Sequence, residues 1–134
     1  MTAYDSKQTS GSSWQTPTPQ PLYRAQQHSV LREVRKYFIH PVDSSVWSFL
    51  AEHRTVVQVL LDSVHHLKKH FGDATRFSLV APIDESGRQT LYAVVLWPGK
   101  IHDVRVALAG FDDEWWIANS RQAAGDLTFT YELV

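Results

Sequence analysis

Histidine is the side chain best suited to acid–base work and metal ligation near neutral pH, and the chain carries seven. In His65-His66-Leu67-Lys68-Lys69-His70, His66 and His70 stand at i and i+4, with Asp62 one turn earlier. On a helix these three share one face, and two imidazoles with a carboxylate are a zinc-type ligand set. Two features oppose that reading. No glutamate follows the first histidine as in a zincin helix, and Lys68 and Lys69 put positive charge beside the site. The segment therefore reads first as a solvated helix face with a basic last turn. A metal-dependent or hydrolytic enzyme using Asp62, His66 and His70 stands as the alternative, and no cofactor is expected.

The densest acidic run, Asp112-Asp113-Glu114, directly precedes Trp115-Trp116. Carboxylates in a run could bind Mg²⁺ or do acid–base work. Successive helical residues point about 100° apart, however, so these three do not converge on one ion. The pattern suits an exposed helix surface. The tryptophans divide in the same way. Trp115 continues an apolar stripe through Val104, Ala107, Leu108 and Phe111 to Ala118, whereas Trp116 lies on its flank. Flanking aromatics are favoured at protein interfaces, which makes Trp116, with Asp112 and Asp113, a candidate partner-binding set. On this spacing Trp115→Ala should cost about 3–5 kcal/mol and Trp116→Ala clearly less. There is no cysteine, no glycine-rich phosphate loop and no Gly-x-Ser-x-Gly elbow, so the nucleophile and nucleotide motifs are missing.

The elements that must position these residues are legible in the hydrophobic pattern. Residues 1–28 are rich in Ser, Thr, Gln and Pro, with Thr-Pro-Thr-Pro-Gln-Pro at 16–21. Such a segment has too little to bury and reads as a disordered leader, in which Trp14 and Tyr23 are further candidate anchors for a partner. Residues 29–134 form a single domain. Residues 33–39 fit a strand or a helix, and His40-Pro41 ends that element. Asp43-Ser44-Ser45 is an N-cap signal. Val57, Leu60, Leu61, Val64, Leu67 and Phe71 then mark a helix from about Arg54 to Phe71, stopped by Gly72. Phe77, Leu79, Ala81 and Ile83 alternate as a strand. A polar turn over 84–89 leads to a strand over 90–97 that is apolar at nearly every position and so buried on both faces. Pro98-Gly99 breaks it, and Asp103 is positioned to cap a second helix, in which Gly110 is a weak point. The last strand, 126–134, puts Leu127, Phe129, Tyr131 and Leu133 on one side and lies at the outside of the sheet. The class is α+β: a small antiparallel or mixed sheet packed by two main helices, with the ferredoxin-like βαββαβ order as one option.

Composition narrows the function further. Hydrophobic residues make up 43% of the 134, and 13 Lys and Arg oppose 14 Asp and Glu for a net charge of −1. That balance argues against a polyanionic partner. The sheet half is the acidic half, with 4 basic and 8 acidic residues over 77–134, so nucleic-acid binding is not expected. No run of apolar residues could span a bilayer, and Met1-Thr2-Ala3-Tyr4-Asp5-Ser6-Lys7 has no apolar signal core, which points to the cytoplasm.

Three stretches resemble a family of small bacterial proteins, mostly uncharacterised and common in cyanobacteria. They are Val46-Trp47-Ser48-Phe49-Leu50-Ala51-Glu52-His53, then Phe111-Asp112-Asp113-Glu114-Trp115-Trp116 beside the family's Phe-Asp-Glu-Glu-Trp-Trp, and Gly125-Asp126-Leu127-Thr128-Phe129-Thr130-Tyr131-Glu132. The resemblance spans about two thirds of the chain, from Val46 to Glu132. Genes of this family often lie beside putative toxin or nuclease genes, which implies an antitoxin-like or accessory role. The expectation is a non-enzymatic interaction module with a protein partner, such as a toxin encoded nearby, with a homodimer or self-associating structural module as a further reading.

Overall fold

Helix α1 covers 30–37, in the segment that read equally as strand or helix. The computed structural model describes residues 30–39 and 44–134. The leader over 1–28 with Trp14 and Tyr23, the His40-Pro41 break and Asp43 therefore lie outside the described residues. Val34 and Phe38, four apart, are both buried, and this i, i+4 pair selects the helix. The strand reading survives in one residue: the Ile39 amide donates to Phe77 O at 2.7 Å, and the Leu79 amide donates to Ile39 O at 3.0 Å.

Helix α2 (Ser45–Glu52) and helix α3 (Arg54–Phe71) are separated by His53 alone. The His53 ring stacks on Phe49, centroids 3.8 Å apart, while Nδ1 donates to the Phe49 carbonyl at 2.7 Å. Ser44 takes the N-cap position of α2 without a side-chain capping bond, so the cap read from Asp43-Ser44-Ser45 is positional only. Helix α3 has the bounds its periodicity dictates, with Lys68, Lys69 and His70 in the last turn. Its buried set is wider than the expected stripe. Val56, Val59 and Ser63 join Val57, Leu60, Leu67 and Phe71, whereas Leu61 and Val64 are half-buried. The buried Ser63 hydroxyl is satisfied by donating to Leu60 O at 2.6 Å.

Strands β1 (Arg76–Val80) and β2 (Leu91–Trp97) form an antiparallel hairpin, and β3 (Leu127–Leu133) pairs parallel to β2. The order β1-β2-β3 makes β3 an outer strand, as its alternation suggests. The leading segment contributes Ile39 rather than a strand, so the sheet has three strands among the described residues, where no fourth strand completes the βαββαβ option. The α+β class stands, with a mixed sheet. In the turn between β1 and β2, the Asp84 carboxylate accepts from the Ser86 amide and hydroxyl and from the Arg88 amide.

Helix α4 (Ile101–Phe111) makes the β2–β3 crossover. Its N-cap is Lys100 rather than Asp103, because the helix begins earlier than the capping signal indicates. Asp103 lies in the first turn, where a carboxylate still suits the positive end of the dipole. Phe111 continues into a π-helical turn, Asp112–Trp116, then a short helix, Ile117–Asn119, and a 3₁₀ turn, Ser120–Ala123. Ring contacts Phe38–Phe77, Phe71–Phe77, Phe71–Trp97 and Phe111–Phe129 join the helices to one face of the sheet. Leu31–Val134 forms one compact unit, and no helix among the described residues is long and apolar enough to cross a membrane.

Gly72 ends α3 at φ +97° and ψ +153°, backbone space that side-chain-bearing residues seldom enter. Gly72→Ala is expected to destabilise the chain by about 1–3 kcal/mol, read as a lower urea midpoint with an unchanged slope.

Candidate functional site

The π turn decides what the acidic–aromatic motif presents. In an α-helix, Phe111 and Trp115 share a face. One wide turn delays that return by a residue, so Trp116 instead follows Phe111 onto the sheet. Both rings meet Phe129 edge-on at 4.8 Å. Trp115 turns toward α3 and stacks on His66, 5.1 Å between centroids and 18° between planes. This corrects the division expected from a regular helix: Trp115 is half-buried rather than core, and Trp116 is as engaged as its neighbour. Of the expected stripe only Val104 and Phe111 are buried. Ala107 and Leu108 are half-buried, and Ala118 is exposed because the stripe loses its phase at residue 112.

The three acids part company on the same turn. Glu114 reaches α3, where its carboxylate receives Lys69 Nζ at 2.5 Å and His70 Nε2 on the other oxygen. The Lys69 hydrogen bond, followed by that of His70, holds the Glu114 carboxyl below the ordinary range. Gly110 makes room for this clamp, since a Cβ there would stand 3.1 Å from His70 Nδ1. The glycine that weakened the helical reading is thus the place where the His70 ring comes against α4. Asp113 is exposed. Asp112 is half-buried, and burial, then the neighbouring Asp113, raises its carboxyl above the usual value. Among the described residues, the Asp112 carboxylate has no hydrogen-bond or ion-pair partner. Beside it, Ile117 is 66% exposed.

The zinc-type trio is not drawn together. Asp62 accepts from Gln58 Nε2 at 3.1 Å, His66 lies under Trp115, and His70 is bound to Glu114. Among the described residues no group of three or more His, Cys, Asp or Glu side chains is placed to hold a metal ion. His66 Nδ1 is buried without a partner, and burial, with a smaller contribution from His65, lowers the ring's pKa below the ordinary 6.5. The histidines thus act in packing and in a clamp between helices.

Sequence reading missed a cleft of about 450 Å³ between α1, the end of α3 and β1. Arg35, Lys36, Lys68 and Arg76 rim it over a floor that includes Phe38 and Phe77. Only the fold brings 35–39 beside 73–77, so no local motif marks it. Its helical cations stand in last turns, where they suit the dipole. Two of them also lie over rings, Arg35 on Trp47 at 4.7 Å and Lys68 on Tyr37 at 5.0 Å.

Two outcomes follow for measurement. With each ring half-buried and stacked, Trp116→Ala should destabilise at least as much as Trp115→Ala, by about 2 kcal/mol or more each on the area buried, in chemical denaturation. Acid should act through His66 and Glu114 in one direction. Both pKa values are lowered on folding, so the unfolded chain binds more protons and stability decreases as pH is lowered. The His66 contribution fades as pH drops below its ordinary 6.5 and the Glu114 contribution as pH drops below its ordinary 4.5. His66→Asn should flatten the first part of a plot of melting temperature against pH, and Glu114→Gln the second.

No protein-family model, no curated protein and no solved structure matches this chain. The functional reading rests on the chain's own residues and geometry.

Proposed function

We propose that the chain is a non-enzymatic protein-interaction module, antitoxin-like or accessory to the product of a neighbouring gene, whose ridge of Asp112, Asp113 and Trp116 receives the partner. The observation that carries this reading is Asp112. Burial, then the neighbouring Asp113, already disfavours the ionised form of this half-buried carboxylate, so an opposite charge brought against it is favoured. An Arg or Lys of a partner would satisfy it. Trp116 beside it supplies the aromatic surface that commonly anchors such contacts. The likeness of Phe111-Asp112-Asp113-Glu114-Trp115-Trp116 to the Phe-Asp-Glu-Glu-Trp-Trp of small bacterial proteins often encoded beside putative toxin or nuclease genes supports the same reading.

Co-expression with the neighbouring gene's product tests it. The two proteins should co-purify, and Asp112→Asn should weaken the complex about tenfold or more, on the usual 1.4 kcal/mol per decade. A raised carboxyl pKa means that the ionised form is disfavoured by folding. The same substitution should therefore leave the free chain as stable or more stable at neutral pH. A chain that captures no partner, or a complex indifferent to Asp112→Asn, would overturn the assignment.

A further inference from the structure

A different surface, the outer edge of β3, points to a second copy of this chain. Two backbone bonds fix which residues of β3 face its neighbour: the Leu91 amide donates to Asp126 O, and the Val134 amide donates to Trp97 O, each at 2.9 Å. Backbone direction alternates along a strand. Thr128, Thr130 and Glu132 therefore turn their peptide groups toward β2, and Leu127, Phe129, Tyr131 and Leu133 turn theirs outward. Among the described residues β3 pairs with β2 alone. Its outward donors and acceptors form a row without ladder partners among the described residues.

The residues on that row are arranged to fit themselves. Leu127-Thr128-Phe129-Thr130-Tyr131-Glu132-Leu133 reads nearly alike in both directions about Thr130. Placed antiparallel to a second β3 with Thr130 opposite Thr130, Leu127 meets Leu133 and Phe129 meets Tyr131. Each of these pairs consists of two outward-facing residues, which is the requirement for exchanging both hydrogen bonds. Thr130 then occupies a pair without hydrogen bonds, where the two side chains approach most closely. The one charge on the strand, Glu132, falls opposite Thr128 rather than opposite itself. The edge also lacks the usual protections against pairing, since it has no proline, lysine or arginine.

We infer that two copies of this chain pair through β3 about a two-fold axis at Thr130, joining their sheets into one of six strands. A two-fold contact of this kind closes on itself and does not propagate into fibres. A single strand edge buries less than the roughly 800 Å² per partner of a standard interface, so the dimer is concentration-dependent. This assignment is independent of the Asp112 ridge, and either can fail without the other.

Sedimentation velocity over a concentration series tests it, with circular dichroism melts confirming that each variant is folded. The purified wild-type chain should move from monomer to dimer as concentration rises. Thr130→Lys and Thr130→Glu each place like charges face to face across the axis, and each should raise the dimer dissociation constant at least tenfold. An equimolar mixture of the two should recover a heterodimer. Leu133→Pro removes an outward donor while sparing the bonds to β2, and should weaken the dimer in the same way. A wild-type chain that stays monomeric throughout, as when the edge serves a strand of a different protein, overturns the inference. So does a dimer indifferent to the Thr130 variants, or a Lys–Glu mixture that stays monomeric.

Discussion

An α-helix returns a side chain to the same side after three or four residues, yet Phe111 and Trp116, five apart, both rest on Phe129. The wide turn over Asp112–Trp116 makes that spacing work, and the placement of every side chain around it follows. It sets Trp116 on the sheet, frees Trp115 for His66, carries Glu114 to α3 and leaves Asp112 beside them without a partner among the described residues. At the exit, Asn119 Nδ2 donates to Trp115 O at 2.7 Å. Main-chain groups disturbed by such an irregularity must be satisfied by some donor or acceptor, and here the side chain four residues on supplies one.

The attraction between Glu114 and Lys69 contributes little by itself, because the Lys69 side chain is 57% exposed and that of Glu114 34%. Exposed ion pairs stabilise by about 0–1 kcal/mol. Geometry matters more here than charge. The carboxylate spans Lys69 and His70, the His70 ring lies against Gly110, and the ring meets Phe111 edge-on. Aromatic packing on one side and hydrogen bonding on the other hold α3 and the π turn in one register. Two aspartates are thereby left outside the clamp while the third acid is consumed inside it. What looked like one acidic run is a structural residue preceded by one exposed aspartate and one half-buried one.

Elements governed by strong periodicity were legible in the sequence. Helix α3 has the bounds set by its apolar spacing and by Gly72, and β2, apolar at nearly every position, is the central strand of the sheet. The outer position of β3 followed from its alternation. Where competing local signals were near balance, tertiary contacts decided. Burial of Val34 and Phe38 made 30–37 helical, and pairing with β1 kept only Ile39 extended. The site was less legible because its determinant is a departure from the regular period. Nothing in Asp112-Asp113-Glu114-Trp115-Trp116 announces an inserted residue, and assuming 3.6 per turn sends Trp115 to the core and Trp116 to the flank, where the structure half-buries both. The role of Gly110 was hidden for another reason: His70, forty residues away along the chain, is what a side chain there would strike.

The parity of β3 ties these observations together. Its odd-numbered residues carry the large side chains that face the helices, Phe129 beneath Phe111 and Trp116 among them, and the same residues direct their peptide groups away from β2. Packing against the helices therefore constrains the side chains at these positions while leaving their amides free of the ladder. Proline at one of them would remove no bond to β2 and would block the edge, a device open to natural edge strands. At Leu133, whose side chain is 48% exposed, packing sets little obstacle to it. The strand instead keeps its outward amides and places a leucine and an aromatic at matching distances on either side of Thr130. An edge left unguarded where guarding costs the ladder nothing, and patterned to meet its own reverse, is the arrangement that self-pairing requires.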